Sequence, residues 1–513
     1  MRLTRSCPLS PIVHAQCPSC GTTHDRSDMR RPLDLAVPGT SSIGVLAAVT
    51  GLSIGASLLG PPSSLLLLVG ASIFAALSLR LRLSAGSHLR PDVTAAESLA
   101  PLPRLSAMQR LSTLSVYIGF ATISVLVIRP TSALTVSDWI FVLAFAAVLV
   151  ATIAGKGTDQ LWLSPAFAAG VTLLLLGAVV SMPRTIDPVG SLSVIARFAW
   201  ITLAWFAIAP VALRTRLQVQ RAILLWVASV AISGFVAAVQ LGTGQLIFPG
   251  SITVYGRMTG LAQHFTDLGG MSAIALVPAL AIVDWPWSRA VQVGAAAVPA
   301  VLVAAGLLLS GSVDGFLSAG VALLLWIALG GLGRRGLLAL AILGLGGVLL
   351  AGTASELGLA LPTARIGAVL AAPTDPGATL SSRIQTYEVA LERIAEDPIV
   401  GQGFDTVGST TATGEVVHNI FLAVWYEGGG LAMLGILLTV AGVLRVAWLA
   451  RVRGRLQKNH SVSSALVASI AAGLVFSLGN PMLFQRYLWA PVFLAIALTQ
   501  IHRESDRGPV AQI

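Results

Sequence analysis

Blocks of about twenty apolar residues recur along the chain between residues 41 and 501. Coiled as an α-helix, a block of that length spans the ~30 Å hydrocarbon core of a bilayer. Backbone amides in hydrocarbon have no water to bond, so a crossing segment must satisfy its own N–H and C=O groups as a helix or within a closed barrel. Barrel strands alternate in polarity, and these blocks do not. The sequence therefore predicts an all-α, polytopic transmembrane helical bundle. Composition agrees: 55% of residues are hydrophobic and 11% charged, whereas soluble domains run near 45–50% and 25%.

About fourteen spans are expected. They lie near 41–60, 63–79, 113–129, 138–155, 164–182, 191–212, 222–241, 267–284, 289–309, 313–333, 336–354, 417–444, 462–479 and 487–501. The block 417–444 is long enough to tilt or to run beyond the bilayer. A net charge of +10 does not imply nucleic acid, because the cations sit in short loops between apolar blocks. Arg80, Arg82, Arg90, Arg104 and Arg110 lie in one such loop, Arg214, Arg216 and Arg221 in a second, Arg334 and Arg335 in a third. Arg445, Arg451, Arg453, Arg455 and Lys458 lie in a fourth. All fall on one side if both termini are cytoplasmic, the orientation the positive-inside rule selects. Few cations then remain outside, among them Arg129, Arg184, Arg257, Arg365, Arg383, Arg393 and Arg486.

The longest outer loop, 355–416, is acidic and contains an amphipathic helix. Ser382 and Gln385 form a capping box, Ile384, Tyr387, Leu391 and Ile394 share a face, and Asp397-Pro398 ends the helix. Arg383 would then open the helix, where unpaired N–H groups already favour an anion. The alternative is a surface Arg paired with Glu388 or another acid. His418-Asn419 marks re-entry into the membrane, and Glu427 lies within the following apolar span. A charge inside a span costs roughly 2.5–3.5 kcal/mol and faces protein or water. His418 titrates in the range a general base needs; the plainer reading of it is a polar helix start.

A further outer segment contains Gly256-Arg257-Met258-Thr259-Gly260-Leu261, then His264 and Asp267. An Arg flanked by glycines suits a phosphate, and equally suits an interfacial turn. Arg197 lies inside the sixth span, near its outer end, and either snorkels outward or points into a cavity. No apolar leader opens the chain. Three cysteines exclude a disulfide scaffold. Cys17-Pro18-Ser19-Cys20 resembles one knuckle of a zinc ribbon, with Cys7, His14 and His24 as further candidate ligands, but no second knuckle follows. Alternatively the protein starts at Met29 and the upstream residues are untranslated.

Taken in order, four stretches resemble the superfamily of O-antigen ligases and Wzy-type polymerases. Arg257 through Leu261 matches an Arg-x3-Leu pattern. Ser382-Arg383 leads through Tyr387, Ala390 and Leu391 to Asp397-Pro398. Pro398-Ile399-Val400-Gly401-Gln402-Gly403-Phe404 matches a Pro-x-x-Gly-x-Gly-Phe turn, and His418 through Gly429 matches His-x10-Gly. The resemblance implies a domain at 113–501 with its large outer loop at 355–416. Residues 1–40 form a cytoplasmic tail, 41–112 hold two additional helices and a basic loop, and 502–513 form a second cytoplasmic tail.

It also implies a multi-pass enzyme of the bacterial cytoplasmic membrane that needs no cofactor. A glycan would pass from a polyprenyl-pyrophosphate carrier to a hydroxyl of a glycan, lipid or other acceptor, with inversion and without a metal. His418 would be the base, and Arg257 and Arg383 would hold the pyrophosphate. Arg197, Arg184, His264, Asp267, Glu427, Asn419 and Tyr387 are supporting candidates. One departure stands out: where the family often has Ser-Arg-Gly, this chain reads Ser310-Gly311-Ser312-Val313-Asp314-Gly315, which removes one implied cation. The rival functions are a transporter or flippase for lipid-linked glycans, and a non-catalytic scaffold.

Overall fold

The computed structural model describes residues 107–129, 134–153, 164–244, 256–283, 289–331, scattered positions from 333 to 354, 356–371, 379–404, 416–456, 460–481 and 483–506. The expected spans 41–60 and 63–79 and the cysteine knuckle lie outside the described residues. So does the 405–415 part of the outer loop, and the span 336–354 is described only at isolated positions.

No strand occurs among the described residues. The helices are α1 (Ala107–Ala121), α2 (Val136–Ile153), α3 (Pro165–Ser181), α4 (Pro188–Ala199), α5 (Trp205–Ala212), α6 (Arg216–Thr243), α7 (Phe265–Val283) and α8 (Arg289–Leu309). There follow α9 (Val313–Ala328), α10 (Pro362–Ala371), α11 (Thr379–Glu396), α12 (Ile420–Leu456), α13 (His460–Ser477) and α14 (Arg486–Asp506). Six helical stretches among the described residues are long and apolar enough to cross a membrane. They are Val136–Ile153, Pro165–Arg184, Pro188–Ala212, Arg216–Thr243, Phe265–Ile282 and Ile420–Arg455. The protein is thus a multi-pass helical membrane protein.

Local chemistry sets several boundaries. Thr215 and Gln218 close a reciprocal capping box at the start of α6, and Gly244, with φ 64°, ends it in the left-handed conformation. Ser312 caps α9 by accepting from the Gly315 N–H at 3.2 Å. A π-turn at Trp200–Ala204 joins α4 to α5. It absorbs an extra residue in the ladder one turn beyond Arg197.

The bundle packs by small residues and by aromatics. On α3 Gly170 and Gly177, and on α12 Gly435 and Gly442, stand seven apart, and each faces the opposite helix so closely that a Cβ would strike it. Small residues of this kind let two membrane helices approach backbone to backbone. On another side Phe120 (α1), Phe141 (α2), Trp205 (α5) and Phe493 (α14) interlock, with ring centroids 5.8 Å apart for Phe120–Phe141 and 4.1 Å for Phe141–Trp205. Helix α7 is 94% buried over its span. It is mostly apolar all round beyond its first turn because protein encloses it.

The amphipathic helix departs from its expected geometry. Helix α11 begins at Thr379, so Ser382 lies within it and Arg383 sits in its second turn. The first-turn N–H groups therefore do not meet the Arg383 position. Its buried face is Thr386, Ala390 and Ile394, with Tyr387 partly buried beside them, whereas Ile384 and Leu391 are exposed. Its end at Glu396, before Asp397-Pro398, falls where the sequence predicts.

Candidate active site

The elbow between α8 and α9, residues 310–314, gathers three arginines from three separate segments. The Ser310 carbonyl accepts from Arg257 Nε at 2.9 Å. The adjacent Gly311 carbonyl accepts from Arg365 Nη1, in α10, at 2.9 Å. Asp314 then takes both arms of Arg383, from α11: Nη1 to Oδ1 at 3.2 Å and Nη2 to Oδ2 at 2.8 Å. Asn480 Nδ2 donates to the same Oδ2 at 3.0 Å and completes the carboxylate's shell.

Backbone geometry places Arg257. Gly256 has φ 70°, and a Cβ there would lie 1.9 Å from the Gly358 carbonyl oxygen, so only glycine fits. The Met258 N–H bonds the Leu309 carbonyl at 2.9 Å, which ties this turn to the end of α8. The Arg257 guanidinium carbon lies 3.4 Å from the Phe265 ring centroid, a cation–π contact. Burial, then the nearby Arg365 charge, push Arg257 down to about 9. Burial and the Arg383 charge likewise lower Arg365. For Arg383 burial works against the charged form, but the Asp314 hydrogen bonds and charge outweigh it and raise the guanidinium above its ordinary value.

Two histidines border this cluster. His264 Nδ1 accepts from the Thr266 N–H at 3.1 Å, which leaves the ring proton of the neutral form on Nε2. Burial, then the charges of Arg257 and His418, push His264 down to about 4. His264 is therefore neutral at physiological pH. His418 lies two residues before α12, and Asn419 Oδ1 caps that helix by accepting from the Phe421 and Leu422 N–H groups at 3.0 and 3.1 Å. The Tyr387 hydroxyl donates to the His418 carbonyl at 2.7 Å. Arg383 and Tyr387 are four residues apart on one face of α11, so this helix bridges the arginine elbow and His418.

Two of the sequence motifs form one packing unit behind His418. Helix α12 breaks at Gly429, with φ 69° and ψ −170°. The break releases carbonyls, and the 398–404 turn uses them: Gln402 N–H bonds the Tyr426 carbonyl at 2.9 Å and Gly403 N–H the Glu427 carbonyl at 2.8 Å. Gly430 N–H bonds the Pro398 carbonyl at 2.8 Å in return. A Cβ on Gly429 would lie 2.0 Å from the Ile399 carbonyl oxygen.

Residues 298–437 match the family model described as O-antigen ligase. Over that stretch the chain is similar to the O-antigen ligase family. No curated protein matches the chain. The matched stretch holds the 310–314 elbow, Arg365, Arg383, the 398–404 turn, His418 and Gly429, while Arg257 and His264 reach it from the preceding segment.

The other candidates stand apart from the elbow. Arg184 forms an ion pair with Asp397 and is 44% exposed. Asp267 is buried and accepts from the Tyr487 hydroxyl at 2.9 Å. Arg197 lies with Arg129, Arg486 and Asp138 in a separate charged group. Within that group Arg486 Nε donates to Asp138 Oδ1 at 2.8 Å, and both side chains are buried. Glu427 is buried beside the 398–404 turn. The sequence gives no sign of Asn480, Phe265 and Arg365 as partners of the elbow. Arg365 was visible only as one outer cation among several, since no local pattern links it to Gly311.

Proposed function

We propose that this protein is a glycosyltransferase of the O-antigen ligase or polysaccharide polymerase type, working on the outer face of the bacterial cytoplasmic membrane with both chain termini inside. It takes a glycan from a polyprenyl-pyrophosphate carrier and transfers it to an acceptor hydroxyl. The acceptor oxygen bonds to the anomeric carbon as the carbon–phosphate oxygen bond breaks opposite it, inverting the centre. The lipid pyrophosphate leaves with the electron pair, and the acceptor proton passes to the His418 imidazole. Arg257 and Arg383 hold the diphosphate and meet the charge that develops on the leaving oxygen, the part a divalent metal plays elsewhere.

The observation that carries this reading is the elbow itself: guanidinium groups fixed side by side where α8 meets α9, with His418 tied to the same helix as Arg383. Fixed cations of this kind suit a leaving diphosphate, and a half-buried, neutral His264 adds no competing acid.

The experiment is transfer by purified protein in vesicles from a defined polyprenyl-pyrophosphate glycan, with chelator present. His418→Ala is expected to remain folded and to lose transfer. Retention of full activity by that variant removes His418 as base, and movement of the lipid-linked donor without any new glycosidic bond supports a flippase instead. A product ladder identifies a polymerase; a single addition to a foreign acceptor identifies a ligase.

A further inference from the structure

Four consecutive backbone N–H groups follow Arg257, and all four are bonded to groups outside their own turn. The Met258 N–H goes to the Leu309 carbonyl at 2.9 Å. The Thr259 and Gly260 N–H groups both go to Gln240 Oε1, at 3.1 and 2.9 Å. The Leu261 N–H goes to Ser233 Oγ at 3.0 Å. Residues 257–261 lie in no helix, so no ladder of their own holds them. Buried backbone groups outside regular structure need partners from elsewhere, and here two side chains of α6 supply three of the four.

Gln240 spends its whole hydrogen-bonding capacity on this turn. Besides the two bonds its oxygen accepts, its Nε2 donates to Thr259 Oγ1 at 3.2 Å and to the Gly260 carbonyl at 3.4 Å. An amide side chain has two donors and two acceptor sites, and residues 259 and 260 take them all. Gln240 is 2% exposed and Thr259 is fully buried. The helix that carries Gln240 is long and apolar enough to cross a membrane. A buried amide there is costly unless bonded, and the bonds that offset the cost all go to the turn. The turn also has little slack. Gly260 has φ 59°, and a Cβ on it would lie 2.3 Å from the Ser233 carbonyl oxygen. From this fixed backbone the Arg257 side chain reaches the Ser310 carbonyl at 2.9 Å and the Phe265 ring at 3.4 Å.

We infer that Gln240 is a positioning residue: by clamping the backbone of Thr259 and Gly260 from α6, it sets where the Arg257 guanidinium lies. Gln240 acts through Arg257 and does not itself meet substrate. This rests on the reading in which Arg257 serves the transfer reaction. A misplacement of about 1 Å in such a group can cost about a hundredfold in rate.

The test is a double-mutant cycle on the purified full chain, read as kcat/KM for transfer from a defined polyprenyl-pyrophosphate glycan, with the thermal midpoint of each variant alongside. Gln240→Met keeps the length of the side chain and removes every bond to the turn. It is expected to lower kcat/KM on the order of tenfold to a hundredfold where Arg257 is present, and to cost nothing further in an Arg257→Met background. Lost stability alone would lower activity equally in both backgrounds. If Arg257→Met leaves no measurable rate, Arg257→Lys takes its place, and the effect of Gln240→Met is expected to shrink there too. Wild-type kcat/KM in Gln240→Met, or losses that multiply in the double variant, overturn the assignment and leave the donor reading intact. Full transfer by Arg257→Met removes Arg257 from the reaction and the role of Gln240 with it. No transfer by wild type overturns the glycosyltransferase reading itself. If Gln240→Met does not fold, Gln240→Asn decides, because it keeps the amide one methylene short of the turn. A lower kcat/KM that disappears in the Arg257→Met background then supports the assignment, and wild-type kcat/KM overturns it.

Discussion

Arg383 and Asp314 meet fork to fork, at 3.2 and 2.8 Å, across sixty-nine residues of sequence. The contact joins α11 to the first turn of α9, and through Tyr387 the same helix reaches His418. On the proposed function, Asp314 acts by holding Arg383 in place. Asp314→Asn keeps the shape and removes the charge. The lost charge-assisted bonds cost about 1.5–3 kcal/mol. Transfer should fall by a factor on the order of ten to a hundred, because Arg383 is no longer held in register. Steady-state kinetics with a defined donor check this; unchanged kcat/KM would show that Arg383 works from another position.

His264 makes a prediction about pH. Its folded value is about 4, below the ordinary 6.5. Between those values the unfolded chain binds the proton and the folded chain does not, so stability rises with pH there and is lost as pH falls from about 6.5 toward 4. The contribution is at most about 3 kcal/mol and smaller once solvent screening is included. His264→Gln should flatten the thermal midpoint across that window relative to wild type. A midpoint with the same acid dependence in both proteins would place the titrating group elsewhere.

Gly429 should tolerate no side chain. Its φ of 69° disfavours one, and the Ile399 carbonyl oxygen stands 2.0 Å from where a Cβ would be. Because the obstruction is backbone, relief requires moving the 398–404 turn. Gly429→Ala should therefore lower stability by about 2 kcal/mol or more and shift His418 at the head of the same helix. Thermal unfolding in detergent and transfer activity should both fall; a variant with the wild-type midpoint would contradict the kinked geometry.

Helix positions were legible in the sequence because the bilayer imposes a length and an apolar composition on each span. Expected and observed ends agree closely for 289–309, Pro165–Ser181 and Phe265–Val283. The helix start at His418-Asn419 and the Asp397-Pro398 stop were likewise local signals. What stayed hidden was contact between distant segments. Nothing near Arg365 announces Gly311, and nothing near Asn480 announces Asp314, because such pairings depend on how helices pack. The capping box at Ser382 misled for a physical reason: Thr379 to Ser381 continue the helix upstream, so a valid local signal was overridden by a longer one. The two glycine motifs were visible as patterns, but their meaning as one interlocked turn and kink needed the fold.

Arg486 and Asp138 carry the last prediction. Sequence placed Arg486 among the outer cations, yet it is buried against a fully buried Asp138, which also accepts from the Thr135 N–H at 2.8 Å. Removing either partner strands a charge in a low-dielectric interior at a cost of about 3–5 kcal/mol. Arg486→Met and Asp138→Leu should each reduce folded protein sharply, judged by monodisperse yield and thermal midpoint. The double variant should recover part of that loss, because the tightest buried pair is removed together, although Arg129 and Arg197 lose the Asp138 charge beside them. Recovery of folding together with transfer activity would make the pair structural. Recovery of folding without transfer would instead tie the Arg129, Arg197 and Arg486 group to a substrate, since only a ligand would need that charge after the fold no longer does.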